Sequence, residues 1–250
     1  MHRVSVMSLN LWNTKRWEVR EPAVRACLET VDPDIACFQE LRPQTRDVLD
    51  ATLSGHSRVE DPFDGWAREG NIFWRDDRFD LVEYGAADVG MLEADRRLFW
   101  ARLQHRDCDR TTFVSTAHFT YAGNDREVET GHSPRVDQAE RTVQALDDLV
   151  RPGEPALFMG DLNDSVHPLR ILREAGYTDC FSDLGVPVRP TFPAWPTKRD
   201  ATTVVERPLD WIFANDLADS LVATVPEFFH AEVAPSDHWP VLAMYELTHG

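Results

Sequence analysis

Asp161 and Asn163 stand two residues apart at the end of a short apolar run, in the stretch PALFMGDLND (155–164). A carboxylate beside an amide at such a point could orient a water or a cation and hydrogen-bond a phosphoryl oxygen. The same residue types also close Asx turns, because a short polar side chain bonds readily to backbone two residues on. Within this segment alone both readings stand. The run Ala156, Leu157, Phe158, Met159 is brief and bounded by Pro155 and Gly160. It is too short for a helix and reads as a buried strand. Extended residues two apart point the same way, which predicts Asp161 and Asn163 projecting together, with Leu162 turned into the core. The crevice outside the carboxyl ends of strands is where open α/β sheets bind ligands.

Other residues of the same chemical kind recur where apolar segments stop: Asn10, Glu40, His118, Asp210, and Asp237 with His238. Taken singly, Asn10 fits a turn, Glu40 a surface acid and His118 a half-buried histidine. Asp210 is different, because it sits inside Leu209–Trp211–Ile212–Phe213. A carboxylate in an apolar strand is costly unless paired, and a histidine is its natural partner. The same pressure acts on Ser236-Asp237-His238, between Pro235 and Trp239-Pro240-Val241. A Ser–His–Asp hydrolase built on Ser236, His238 and Asp210 fails on context, since adjacent Ser and His lack a nucleophile elbow and no GxSxG occurs.

These residues need elements to position them. Alternation predicts strands over Val4–Leu11, Asp34–Phe38, Asn71–Trp74, Leu81–Tyr84, Leu98–Leu103, Thr111–Ala117, Leu209–Phe213 and Val241–Leu247. Helices are expected over Glu18–Thr30, with Val19, Ala23, Ala26 and Cys27 on one side, and over Pro168–Ala175, stopped by Gly176. A third helix, Arg135–Val150, carries an apolar stripe at 136, 139, 143, 146 and 150. Strands alternate with helices in both halves and no Gly/Ser linker divides them, so one mixed α/β domain over 1–250 is the economical reading. No strict sequence repeat is visible. The Pro-rich segment 186–208, with Phe192, Trp195, Lys198 and Arg199, is long and irregular, as functional loops often are.

With 43 acidic and 26 basic residues the formal charge is −17, and only Lys15 and Lys198 are lysines. Phosphate neutralisation supplies most nonspecific duplex affinity, so this balance opposes a duplex-binding role. It leaves room for a phosphate substrate met by arginine, the better bidentate partner. No apolar run approaches the ~18 residues of a membrane span, and the start MHRVSVMSLNLW lacks the apolar core of a secretory signal. Cytoplasmic location is the corresponding expectation. Cys27, Cys37, Cys108 and Cys180 are scattered and read as free, mainly structural thiols.

Six segments, SLNLW (8–12), CFQEL (37–41), STAHF (115–119), MGDLND (159–164), PLDWIF (208–213) and PSDHWPV (235–241), occur in an order that resembles the endonuclease/exonuclease/phosphatase superfamily. The resemblance spans nearly the whole chain. It implies an α/β (α+β) fold, a four-layer sandwich of two packed mixed sheets with helices outside. It implies a phosphoesterase dependent on Mg²⁺, with Mn²⁺ as a substitute. Glu40 would be the principal metal ligand, with Asp237 and Asn10 contributing directly or through water. Asp161 would position or deprotonate the attacking water, and Asn163 would bind phosphate. His238 would be oriented by Asp210, and His118 would hold or protonate phosphoryl oxygens. Some nucleases of the family carry an acid two residues after the first-strand Asn; here that place is Trp12.

Arg96, Arg97, His132, Arg135 and Gln138 are further phosphate candidates, Arg135 ahead of Arg97 because it opens a helix, whose N-terminus favours anions. Phe192 and Trp195 could stack on a flat group or simply pack under the loop. The charge favours a small-molecule or single-stranded substrate over duplex DNA. A catalytically silent binding or scaffold protein on the same fold is the competing reading; it predicts loss of Glu40, Asp161 or His238, and all three are present.

Overall fold

The computed structural model describes residues 2–195 and 207–248. Its first half begins with β1 (His2–Asn10), α1 (Trp17–Val31) and β2 (Ile35–Gln39). Next come α2 (Pro43–Thr52), β3 (His56–Arg58), α3 (Gly65–Arg68), β4 (Gly70–Arg75) and β5 (Phe79–Ala87). The second half runs through β6 (Leu98–His105), β7 (Thr111–His118), α4 (Asp125–Thr130), α5 (Pro134–Leu149) and β8 (Ala156–Asp161). It closes with α6 (His167–Glu174), β9 (Thr178–Asp179), α7 (Cys180–Leu184), β10 (Asp210–Ala214), β11 (Ala218–Thr224) and β12 (Val241–Leu247).

The strands form two six-stranded sheets, ordered β11-β12-β1-β2-β4-β3 and β5-β6-β7-β8-β10-β9. Each sheet has one parallel pair among the described strands, β1 with β2 and β7 with β8, and its other pairings are antiparallel. A parallel pair needs a crossover, and α1 supplies it in one sheet while α4 and α5 lie between the strands of the other. One apolar cluster joins the facing sheets, from Val4, Val6 and Ile35 to Phe113, Phe158 and Phe213. A second, with Met7, Leu9, Val24, Leu28 and Phe38, seats α1 and α2 on the outer face of the first sheet. The architecture is the sandwich of two packed mixed sheets with flanking helices that the family resemblance implied.

Local chemistry explains where the expected pattern moved. On α1, Val19 is 57% exposed while Arg20 is fully buried, so the inward stripe is Arg20, Ala23, Val24, Cys27 and Leu28. Backbone carbonyls satisfy that guanidinium, which makes its burial tolerable. On α5, Arg135, Gln138 and Thr142 share the buried face with Ala139 and Leu146; Arg135 and Gln138 are hydrogen-bonded there, while the Thr142 hydroxyl has no partner among the described residues. The short elements α2, α3, α4, β9 and α7 and the edge strand β11 are too brief or too polar on one side to announce themselves by period.

Gly160 is required by close approach. Its φ is +151°, and a Cβ there would lie 2.0 Å from the Ala117 carbonyl oxygen, so β8 can lie against β7 at this point only without a side chain.

Candidate active site

Asp161 ends β8 opposite His118 of β7 in parallel register, and opposite Asp210 of β10 on its other side. Its two carboxylate oxygens do different work. Oδ1 accepts the Asn163 backbone N–H at 2.9 Å, closing an Asx turn. Oδ2 accepts from Asn10 Nδ2 at 3.0 Å and lies 3.4 Å from His118 Nε2 and 3.7 Å from His238 Nε2. The turn and the site therefore coexist, one oxygen each. Leu162 is buried as expected. Asn163 does not extend the strand: its φ of +49° is left-handed, so the two-residue alternation stops at Asp161. Its amide instead donates to the Phe119 carbonyl at 2.9 Å.

Asp210 and His238 form the tightest pair. His238 Nδ1 lies 2.8 Å from Asp210 Oδ2, and the same oxygen accepts from the Thr191 hydroxyl at 2.6 Å. Thr191 Oγ1 also accepts the backbone N–H groups of Leu209 and Asp210, and its carbonyl takes the Trp239 N–H. Phe192 packs on the His238 ring at 4.7 Å between centroids. The described start of the Pro-rich segment thus clamps this pair, whereas Lys198 and Arg199 lie outside the described residues. Burial alone would push His238 toward neutrality, but Asp210 and Asp161 raise its pKa. The proton therefore rests on the imidazole. Burial and the Asp210 charge push Asp161 the other way, toward accepting a proton. His118 is held neutral by burial, with Arg96, His238 and Arg42 adding to the effect.

Glu40 follows β2 with φ +53°, a turn that aims it back toward β1. Asn10 Nδ2 donates to Glu40 Oε1 at 3.3 Å and Asn13 Nδ2 to Oε2 at 2.8 Å. Asn10 itself offers the acids an N–H donor, because its own Oδ1 accepts the Trp12 N–H at 2.9 Å. Burial raises Asp237 to about 6, and the Glu40 charge adds to this. Two acids near enough to oppose each other's ionisation, both presenting oxygen, fit a hard divalent cation. Arg20 is the guanidinium these acids draw on: burial lowers its pKa to about 10 against the pull of Asp237 and Glu40. Its fork donates to the carbonyls of Lys15 (2.7 Å), Pro235 (2.7 Å), Asn13 (3.2 Å) and Trp12 (3.3 Å), and it lies over the Trp12 and Trp17 rings. The Ser236 hydroxyl donates to the Asn10 carbonyl at 2.6 Å. That bond ties the loop to β1 and leaves the hydroxyl no role as a nucleophile.

The two arginines meet different surroundings. Arg135 is buried and forked onto Glu127 (2.6 and 3.1 Å), with Asp164 at 3.4 Å and the Thr120 carbonyl at 3.2 Å. Two carboxylates already neutralise it, because a buried charge must be paired. Arg97 lines a small cavity with His118, Gln39, Glu69 and Arg96, although its guanidinium also caps the Ala94 and Arg96 carbonyls. Trp12 packs tilted against Trp195 at 5.2 Å between centroids, and Arg16 lies over the Trp195 ring. Thr191, Asn13 and Arg20 carried no motif signal, whereas Ser236 stood inside PSDHWPV with no role assigned to it. Arg20 alone was detectable, as a charge at helical spacing from Ala23, Val24 and Cys27.

A family model described as the Endonuclease/Exonuclease/phosphatase family matches residues 7–238. No curated protein matches in sequence. Among solved structures, a mannosyl-6-phosphatase of Bacteroides thetaiotaomicron superposes with TM-score 0.81 at 20% identity, covering 98% of this chain and 100% of that one. D. rerio TDP2, complexed with a single-strand DNA product, gives 0.79 at 17% identity over 98% and 100% of the two chains. The human Nocturnin catalytic domain with a bound sulfate gives 0.75 at 17%, over 98% and 94%. At these identities the likeness is one of fold.

Proposed function

Because the chain belongs to the Endonuclease/Exonuclease/phosphatase family, we propose that it hydrolyses phosphate esters with the help of Mg²⁺, Mn²⁺ serving as a substitute. The observation that carries this reading is Asp161 Oδ2, set 3.0 Å from the Asn10 amide, 3.4 Å from His118 and 3.7 Å from His238. Glu40 and Asp237 would hold the cation, with Asn10 orienting Glu40 and meeting the ion through water. When bound, the ion polarises a phosphoryl oxygen and offsets the charge that develops there.

The remaining chemistry belongs to the chain. Asp161, biased toward taking a proton, orients a water and accepts its proton as the oxygen bonds to phosphorus and the ester oxygen departs. His238, protonated and fixed by Asp210, presents Nε2–H to a phosphoryl oxygen. His118, neutral, shares that task from the opposite strand. Asn163 and Arg97 are the phosphate contacts this arrangement favours, and Arg135 acts by holding Asp164 and Glu127.

The −17 charge and the pairing of most cations favour a small phosphorylated molecule or a single strand over duplex DNA. The names of similar structures, a sugar phosphatase and a protein bound to single-strand DNA product, agree with that range. Turnover of a bis-aryl phosphodiester with Mg²⁺, with an EDTA control, tests the proposal. Glu40→Gln and Asp161→Asn should each lower it by about 10²–10⁴-fold. Unchanged turnover in either variant would remove the assignment. A screen over nucleotides, oligonucleotides, sugar and inositol phosphates and lipids then selects the substrate.

A further inference from the structure

We propose that His2, His105 and Asp107 form a second metal site, suited to Zn²⁺, that clamps the two sheets together at the end opposite the catalytic residues. One ligand atom from each of the three lies within 4.8 Å of the others. His2 Nδ1 is 3.2 Å from Asp107 Oδ2, and the two imidazole centroids are 5.3 Å apart. Two imidazoles and a carboxylate are a donor set that zinc accepts, with a fourth position left for water.

The three residues divide the labour as a metal site requires. His105 is the fixed member: it is 3% exposed, packs edge-on against Phe79 at 4.9 Å, and has the Thr112 hydroxyl 2.8 Å from Nε2. A hydroxyl on one ring nitrogen is the outer partner that orients a ligating histidine. His2 and Asp107 are the adjustable members, with side chains 24% and 70% exposed. They can close toward the spacing of about 3.3 Å that tetrahedral zinc sets between ligand atoms. The neighbouring guanidiniums do not oppose a cation unaided, since Arg78 is paired with Asp34 and Arg106 with Asp80 at 2.6 Å.

The placement gives the site a purpose. His2 opens β1 in the first sheet, while His105 ends β6 in the second and Asp107 lies in the turn before β7. Asn10, at the catalytic end of β1, is about 26 Å from His2 at the rise of a strand. His118, at the catalytic end of β7, is likewise a full strand away from this turn. A metal here would join the sheets without touching the catalytic chemistry.

The test uses the full chain, stripped with EDTA, in a Glu40→Gln background that weakens cation binding at the catalytic end. Zn²⁺ is titrated by calorimetry, and Co²⁺ by the visible absorption of its tetrahedral complex. One equivalent should bind and raise the thermal midpoint in a zinc-dependent way. Asp107→Asn, on an exposed side chain, and His2→Gln, on a half-buried one, should each weaken binding at least tenfold and remove the midpoint shift. His105→Gln should abolish the cobalt band. Zinc uptake and midpoint shift that are unchanged by His2→Gln and Asp107→Asn overturn the proposal, as does the absence of uptake.

Discussion

His238 and Asp210 act as one unit at the scale of single residues. Asp210 is fully buried, and His238 and Thr191 converge on a single one of its oxygens. Removing the carboxylate charge leaves the imidazole without the group that keeps it protonated and aimed. His238→Ala should therefore lower kcat by about 10²–10⁴-fold, the usual reach of a positioned acid–base group. Asp210→Asn should act through the same step. In steady-state kinetics the double variant should lose little more than the worse single, because residues in one network are not additive. Strictly additive losses would mean two independent roles. The pair was legible in the sequence, since an acid inside an apolar strand demands a partner. Thr191 was not, because a threonine in a Pro-rich loop carries no signal until the loop folds back.

Arg20 carries the argument at the scale of elements. It belongs to α1, yet its donors end on the β1–α1 connection and on the Pro235 carbonyl. It thereby holds in one place the segments bearing Asn13, which steadies Glu40, and Asp237. Arg20→Met leaves four carbonyls without their donor and removes the cation that draws on Asp237 and Glu40, and a buried group left unsatisfied costs about 1–3 kcal/mol. Urea unfolding should show a loss of that size. Arg20→Lys should recover only part of it, because an ammonium cannot reproduce the planar fork. Equal stability of wild type and Arg20→Met would show that the carbonyls find other donors. Element order and type were readable for the long periodic segments. The inward face of α1 was not, since period alone ranks Val19 above a charged neighbour.

The whole molecule shows its two-sheet core in the fate of its thiols. Cys27, Cys37 and Cys180 are buried while Cys108 is only partly so. Burial pushes Cys27 up to about 12 and raises Cys37 and Cys180 as well. A folded-state pKa above the unfolded one means that the native state keeps protons the unfolded chain has lost. Stability is thus intact below about pH 9 and falls as pH rises through the window above it, by about 1.4 kcal/mol per thiol per pH unit. Denaturant unfolding at pH 8 and pH 10.5 should show this decline, and it should shrink in Cys27→Ala. At pH 8 a disulfide reagent should modify Cys108 first, the other three reacting only on unfolding. Uniform fast reaction of all four would contradict the packed core. Among the described residues no helix is long and apolar enough to cross a membrane.

The sequence by itself determined the alternation of strands and helices, the residues at the strand ends, and the pairing demand of Asp210. Each follows from local period or from the cost of burying a charge, which adjacent residues suffice to express. The tertiary structure decided the rest. It gave Asp161 two roles through its two oxygens, made Asn10 a donor, consumed Arg135 in an ion network, and recruited Thr191, Asn13 and Arg20. The recruitment of Thr191, Asn13 and Arg20 depends on which segments meet in the fold, across separations of 19, 27 and 215 residues. No local pattern specifies such meetings, because a hydrogen bond is sensitive to ångström-scale approach and a sequence motif is not.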